Sequence, residues 1–155
     1  LVKDDIYVKR INRIMVAMDK SDSASQSLKL ALFLLRDIKG GQLVLSHVDP
    51  DRSGKYKEFA GAEAEKDPVL APAVAEAKKF GISYRCISTA GRPGEEICRI
   101  AEETNADLLM LGSPDRRPSI AKALPDLDRL LGSSLSDYVR VHATCPVLLA
   151  RTVAA

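Results

Sequence analysis

The chain has little of several features that mark specialised classes of protein. Among its 155 residues there is no tryptophan, aromatic residues make up 5%, and there are three cysteines and two histidines. The cysteines are odd in number, lack a C-x-x-C pair and lie within apolar patterns: Cys86, Cys98 and Cys145. This distribution disfavours both a disulfide framework and a zinc site. We therefore expect no metal centre and a reducing compartment, the cytoplasm.

An excess of charge and long apolar runs are also missing. The 23 Lys and Arg residues nearly balance the 21 Asp and Glu residues, whereas nucleic-acid-binding domains usually carry a clearly basic face. No apolar run approaches the roughly 20 residues that span a bilayer, and the first ten residues contain charges but no apolar segment. We therefore expect no nucleic-acid partner, no membrane segment and no signal peptide.

What the chain does contain is a regular alternation of apolar runs and helical patterns. Its length suits one domain, which we expect over residues 1–155 with a core at about 11–151. Strands are predicted over residues 14–18, 42–48, 82–88, 108–111 and 146–150. Helices are predicted over 23–35, 69–80, from 93 onward and over 134–142, whereas residues 51–67 are polar and weakly patterned. This alternation predicts an α/β fold with a five-stranded parallel sheet and helices on both faces. For this sheet we take the strand order 3-2-1-4-5.

Local signals place some of the helix ends. Ser23, with Gln26 three residues later, forms a capping box at the start of the first helix. Gly81 is a plausible stop for the second helix. Residues 91–94 read G-x-x-G with Pro93 at a helix start, and we interpret them as a turn because the full G-x-G-x-x-G phosphate motif is absent.

The strand order also predicts where a ligand would bind. In an open parallel sheet, ligands bind beyond the carboxyl ends of the strands where the strand order reverses, here between the first and fourth strands. Asp19 follows the first strand and could accept hydrogen bonds from a ligand, or from backbone amides in the strand-to-helix turn. Gly112 ends the fourth strand and could let a phosphate approach, or form a turn. Both alternatives stay open for each residue.

A second polar segment lies at the start of the last predicted helix. Gly132, Ser133 and Ser134 offer a flexible turn, two hydroxyls and the free amides of a helix start, which together can hold a phosphate. Ser134, with Asp137 three residues later, also fits an ordinary N-cap.

Signals for catalysis are missing from the sequence. There is no Walker A sequence, no G-x-S-x-G elbow and no base placed beside Cys145. We therefore predict no catalytic residue and no enzyme, with slow ATP hydrolysis as the least supported alternative.

Three segments resemble the universal stress protein family. Residues 16–21 are similar to the family's first strand and aspartate turn, residues 45–48 to its second strand, and residues 142–148 to its ending. The resemblance extends from about Ile11 to Arg151. It implies a five-stranded parallel α/β fold of the adenine nucleotide α-hydrolase type and a stress-response signalling role. It also implies a homodimer through the last strand, from Pro146 to Ala150.

The family contains members that bind ATP and members that do not. Those that bind it carry G-x2-G-x9-G followed by Ser or Thr, an aspartate at the position of Asp19 that contacts the adenosine, and a valine at the position of Val48 that contacts adenine through its backbone. The resemblance implies ATP or AMP as the ligand, with or without Mg²⁺. The implied nucleotide-binding residues are Ala17, Asp19, Val48, Gly112, Asp115, Gly132, Ser133 and Ser134.

The chain departs from the family's motif in two ways. Asp115 stands at the second glycine position, and 16 residues separate it from Gly132 where the motif has nine. A carboxylate beside phosphates is repulsive unless a metal intervenes. In an alternative register the insertion precedes Pro125, and residues 127–134 fit the usual helix entrance. The longer segment brings cations that could approach phosphate: Arg116, Arg117, Lys122 and Arg129.

Two functions therefore remain open. The first is a homodimeric regulator that binds an adenine nucleotide. The second, favoured by the departures from the motif, is a dimeric scaffold or interaction module of the same family that binds no nucleotide.

Overall fold

A computed structural model describes residues 10–50, 58–113 and 134–151 of the chain. The strands of the described part are β1 Arg13–Ala17, β2 Gln42–Asp49, β3 Phe59–Ala60, β4 Ser83–Ala90, β5 Leu108–Ser113 and β6 Val147–Arg151. The helices are α1 Asp22–Arg36, α2 Ala62–Glu65, α3 Leu70–Phe80, α4 Pro93–Glu103 and α5 Ser134–His142.

The strands form one sheet in the order β3-β4-β2-β1-β5-β6. All strands except β3 pair in parallel, so the predicted α/β class and the predicted order of the five main strands are confirmed. The predicted number of strands is wrong by one. The extra strand β3 runs antiparallel to β4 and pairs Phe59 with Ser88. Two residues are too few to carry the alternating pattern by which a strand is recognised in sequence.

Apolar clusters cover both faces of the sheet. The central strand β1 is buried on both sides, since Ile14, Met15 and Val16 are all fully buried. One cluster packs the sheet against α1 and α3, and the other packs it against α4 and α5. The continuous apolar run of β1 is thus explained by helices on both faces, as predicted.

The N-cap of α1 corrects one sequence prediction. Ser21 is the capping residue, with an extended backbone, and its Oγ accepts the amide of Ala24 at 3.1 Å. Ser23 lies inside the helix and is buried, so the capping box predicted at Ser23 and Gln26 is wrong. Ser21 caps the helix because its hydroxyl reaches the third amide of the helix, the usual partner of an N-cap side chain.

The other predicted helix ends agree with the structure. Gly81 closes α3 in the left-handed region with φ of 66°, and Pro93 occupies the first turn of α4. Among the described residues, no helix is both long and apolar enough to cross a membrane.

Candidate functional site

The strand order reverses at β1. From β1 the chain moves through α1 to β2 and then to β4 on one side, and it returns through α4 to β5 on the other side. The carboxyl ends of β1 and β5 therefore border an opening at the point where the chain connections leave in opposite directions, which is where ligands bind in such sheets. Asp19 lies two residues after β1, and Gly112 lies within β5 near its end.

Asp19 organises the turn between β1 and α1. Its Oδ1 accepts the backbone amide of Ser21 at 2.7 Å and also the hydroxyl of Ser21. Since Ser21 in turn accepts the amide of Ala24, Asp19 holds the residue that caps α1. The structural alternative for Asp19 is therefore correct. It does not exclude a ligand, because these bonds engage Oδ1 and the side chain is exposed to solvent.

Gly112 packs against the first turn of α1. A Cβ built at this position would lie 2.7 Å from the amide nitrogen of Ala24 and 2.7 Å from the carbonyl carbon of Ser23. Neither atom can move without displacing the helix. Gly112 also pairs with Ala150 of β6, so it is a strand residue and the turn alternative is wrong. Sequence reasoning missed the packing role because the contact joins segments that are about ninety residues apart in the chain.

The backbone of Val48 points toward the same opening. In β2 the amide of Gln42 donates to Asn12 at 2.8 Å, and the carbonyl of Ser46 accepts the amide of Met18 at 2.7 Å. Alternate residues of a strand direct their backbone groups to the same neighbour, so Val48 also faces the β1 side. The pairing of β1 with β2 ends at Ala17 opposite Ser46. The amide and carbonyl of Val48 therefore face the space beyond the end of β1.

The remaining predicted residues are placed as follows. Ala17 ends β1 and packs against the cluster under α4 and α5, and Ser134 is the first residue of α5. Asp115, Gly132 and Ser133 lie outside the described residues, as do the four cations that could approach phosphate. Asp19, Gly112 and the Val48 backbone thus lie at the carboxyl ends of three neighbouring strands, β1, β5 and β2. Within the described ranges, no group of three or more His, Cys, Asp or Glu side chains is arranged to hold a metal ion.

A cavity of about 410 Å³ adjoins this opening. It lies at the carboxyl ends of β2 and β4 and is bounded by the residues that precede α3. Sequence reasoning did not predict it, since the segment that forms one wall is polar and weakly patterned. The lining residues are Lys20, His47, Asp49, Phe59, Glu63, Lys66, Asp67, Pro68, Val69 and Ser88.

Asp67 is the centre of a hydrogen-bonded cluster in this cavity. Its Oδ2 lies 2.7 Å from Nδ1 of His47 and accepts the hydroxyl of Ser88 at 2.6 Å, and its Oδ1 accepts the amide of Val69 at 2.8 Å. Burial by itself raises the pKa of Asp67, but the hydrogen bonds from Ser88, His47 and Val69 outweigh burial and hold that pKa below its ordinary value. Asp67 is thus a carboxylate at neutral pH.

The cluster follows from strand register and from the loop before α3. His47 of β2 lies opposite Ser88 of β4 in the parallel pairing, so both side chains stand on the same face of the sheet. The turn that begins at Asp67 places its carboxylate over that face. A histidine inside a buried strand is a sequence signal, since a buried polar group needs a partner. The sequence does not identify that partner.

Comparison with known proteins agrees with the fold. A sequence profile of the universal stress protein family matches residues 10–151 of the chain. The curated universal stress protein YxiE of Bacillus subtilis is 25% identical over 155 residues, which cover 90% of this chain and 99% of that protein.

Two solved structures have a similar fold. One is a universal stress protein in complex with cAMP, 21% identical, with a TM-score of 0.66 and coverage of 94% of this chain and all of that one. The other is a universal stress protein family protein of Arabidopsis thaliana with AMP bound, 19% identical, with a TM-score of 0.63 and coverage of 92% and 93%. At these identities the likeness concerns the fold alone.

Proposed function

The chain belongs to the universal stress protein family, and we propose that it is a regulator that binds an adenine nucleotide. The proposed ligand is ATP or AMP, with or without Mg²⁺. The proposed site is the opening between the carboxyl ends of β1 and β5. In this proposal the protein works in the cytoplasm as a homodimer and signals through its nucleotide occupancy, without catalysis.

The observation that carries the proposal is the convergence of three groups at this opening. Asp19 presents a carboxylate oxygen beyond its turn contacts, and a carboxylate is a strong acceptor for the hydroxyls of ribose. Val48 presents an amide and a carbonyl, the donor and acceptor that complement one edge of adenine. Gly112 lets the end of β5 lie directly against the first turn of α1, whose capping residue Asp19 holds. A nucleoside is the ligand class that uses all three.

The nature of the ligand is supported by the two structural relatives, which hold cAMP and AMP on the same fold. On the phosphate side, we assign Ser134 at the start of α5, where helix amides favour an anion. Gly132 and Ser133 complete the proposed phosphate contacts, and Asp115 joins them only with Mg²⁺ between its carboxylate and the phosphates.

The hydrogen bonds that Asp19 accepts favour a regulator over an enzyme. A general base must take up a proton from the reacting group. Asp19 instead receives two hydrogen bonds from Ser21 and supports the start of a helix. Its position suits an acceptor of ribose hydroxyls better than a base.

One observation favours the second candidate, a dimeric scaffold without nucleotide. The contact of Gly112 with Ala24 explains a glycine at position 112 by packing alone. If packing is the only reason for a glycine at position 112, the match of Gly112 to the first glycine of the motif is not evidence for phosphate binding.

Equilibrium titration with AMP and ATP, with and without Mg²⁺, tests the proposal. We expect wild-type protein to bind, and Asp19→Asn to bind about tenfold more weakly. The amide keeps an acceptor for Ser21 but replaces the second acceptor by a donor, and a hydrogen bond to a charged group contributes about 1.5–3 kcal/mol.

Asp37→Asn is the matched control, because Asp37 ends α1 on the surface with its side chain 81% exposed. It should bind like the wild type. Absence of binding at millimolar nucleotide, together with no nucleotide released from purified protein on denaturation, would leave the scaffold as the function.

A further inference from the structure

The cluster around Asp67 determines which nitrogen of His47 carries the proton. Asp67 is an ionised carboxylate and can only accept hydrogen bonds. The 2.7 Å contact between its Oδ2 and Nδ1 of His47 therefore requires a proton on Nδ1. In the neutral ring, Nε2 then has a free lone pair and is an acceptor.

This nitrogen is the one that His47 can offer to a ligand. His47 lines the cavity, its side chain is 18% exposed, and its other nitrogen is occupied by Asp67. The next residue in β2 is Val48, whose amide and carbonyl face the proposed nucleotide site. Two consecutive residues thus place three hydrogen-bonding groups at the end of one strand.

We propose that His47 is a specificity-determining residue of the nucleotide site, and that its Nε2 accepts a hydrogen bond from the exocyclic amino group of adenine. This inference rests on the proposed function. The amino group has two hydrogens, one for the carbonyl of Val48 and one for Nε2. A purine with an oxo group at the same carbon, as in hypoxanthine or guanine, sets an acceptor against an acceptor and is disfavoured.

The walls of the cavity suit a planar base. Phe59 and Val69 are half-buried and line the space beside His47. Apolar walls with a few placed polar groups are the usual composition of a small-molecule site. Asp67 acts as a positioning residue, since it holds the imidazole and sets its tautomer, and Ser88 in turn holds Asp67.

The test compares two ligands on two proteins, so that the contact between His47 and the amino group is isolated. The ligands are AMP and purine riboside 5′-monophosphate, which has hydrogen in place of the amino group. The proteins are wild type and His47→Phe, which keeps a flat ring without nitrogens. We expect the ratio of the two affinities to fall about fivefold in the variant, the effect of one hydrogen bond.

His142→Phe is the control, since His142 lies on α5, is exposed and contacts the carbonyl of Tyr138. It should leave the ratio unchanged. If His47→Phe binds AMP and gives the wild-type ratio, this inference is wrong while the nucleotide proposal stands. If wild-type protein binds no AMP, both are wrong.

Nitrogen NMR of the wild type gives a second measurement that does not depend on whether His47→Phe folds. The chain has only two histidines, and His142→Phe assigns their signals. We expect His47 to be protonated at Nδ1 in the free protein, and its Nε2 signal to shift when AMP is added. A proton on Nε2 at neutral pH, or an Nε2 signal that AMP at saturation leaves in place, would overturn the inference.

Discussion

Gly112 at the end of β5 lies so close to the amide of Ala24 in α1 that position 112 has no room for a side chain. The contact joins the strand and the helix that border the opening at the centre of the sheet. It therefore sets the distance between two sides of the proposed site.

This contact predicts the effect of Gly112→Ala on stability. The added methyl group must displace α1, since both close atoms belong to its backbone, and we expect a loss of about 1–3 kcal/mol in the free energy of unfolding. Gly40→Ala is the comparison. Position 40 has open space around it but a φ of 76°, so it should lose about 1 kcal/mol through backbone strain. Urea unfolding of both variants measures the difference, and a Gly112→Ala variant as stable as the wild type would contradict the packing.

The cap of α1 predicts a second difference. Ser21→Ala removes the acceptor of the Ala24 amide and should lower the free energy of unfolding by about 1 kcal/mol. Ser25→Ala is the control, because Ser25 is exposed within α1 and alanine is the better helix former there. Thermal unfolding should give a lower Tm for the first variant and an equal or higher Tm for the second. A lower Tm for Ser25→Ala than for Ser21→Ala would contradict the assignment of Ser21 as the N-cap.

The pKa of Asp67 predicts how stability depends on pH. Its folded-state pKa lies below the ordinary value, so the carboxylate contributes stability that is complete above the unfolded pKa of about 3.9. That contribution is lost as the pH falls through the folded pKa. Asp67→Asn should therefore be less stable than wild type at pH 7, by about 1–3 kcal/mol. The difference should shrink below pH 4.

Urea unfolding at pH 7, 5, 4 and 3 measures this difference. Asp37→Asn is the matched control. The Asp37 carboxylate is exposed to solvent, and its ion pair with Arg36 is long, at 3.9 Å. It should change stability little at any of these values. A constant gap between wild type and Asp67→Asn across the series would show that the carboxylate charge does not stabilise the fold.

The proposed dimer predicts a test at β6. Pro146 directs its carbonyl to Leu109 of β5, so by alternation Leu148 also faces β5 whereas Leu149 directs its backbone away from the sheet. Leu149→Pro removes an outward amide and leaves the bonds to β5 in place. We expect a folded monomer in sedimentation equilibrium. Leu149→Val keeps the amide and should remain dimeric, and a dimeric Leu149→Pro would place the interface elsewhere.

Much of the architecture could be predicted because its signals are local. The apolar run of β1 and the pattern of α5 reflect burial that repeats with the period of each element. The alternation of strands and helices likewise predicted the parallel sheet with helices on both faces. The strand β3 and the cap at Ser21 depended instead on single side chains and short contacts.

The cavity could not be predicted, because the residues that form it are distant from one another in the chain. His47 and Asp67 are 20 residues apart, and Asp67 and Ser88 are 21 apart. The segment between them has no clear periodicity. Their meeting depends on the register of β2 with β4 and on the turn before α3, and neither is encoded in a local pattern. The same holds for Gly112, whose neighbours in space, Ser23 and Ala24, lie about ninety residues earlier in the chain.

The two edges of the sheet have different consequences for assembly. At one edge, the two-residue strand β3 runs antiparallel to β4 and covers part of it. The start of β4 is not covered by β3 and carries the exposed side chains of Ser83 and Arg85. A short or charged edge resists pairing with another strand, whereas β6 at the other edge is apolar. In the proposed dimer, the two β6 edges pair with each other and each copy leaves only its poorly pairing β4 edge outside. Such an assembly would close at two copies and would not grow into a filament.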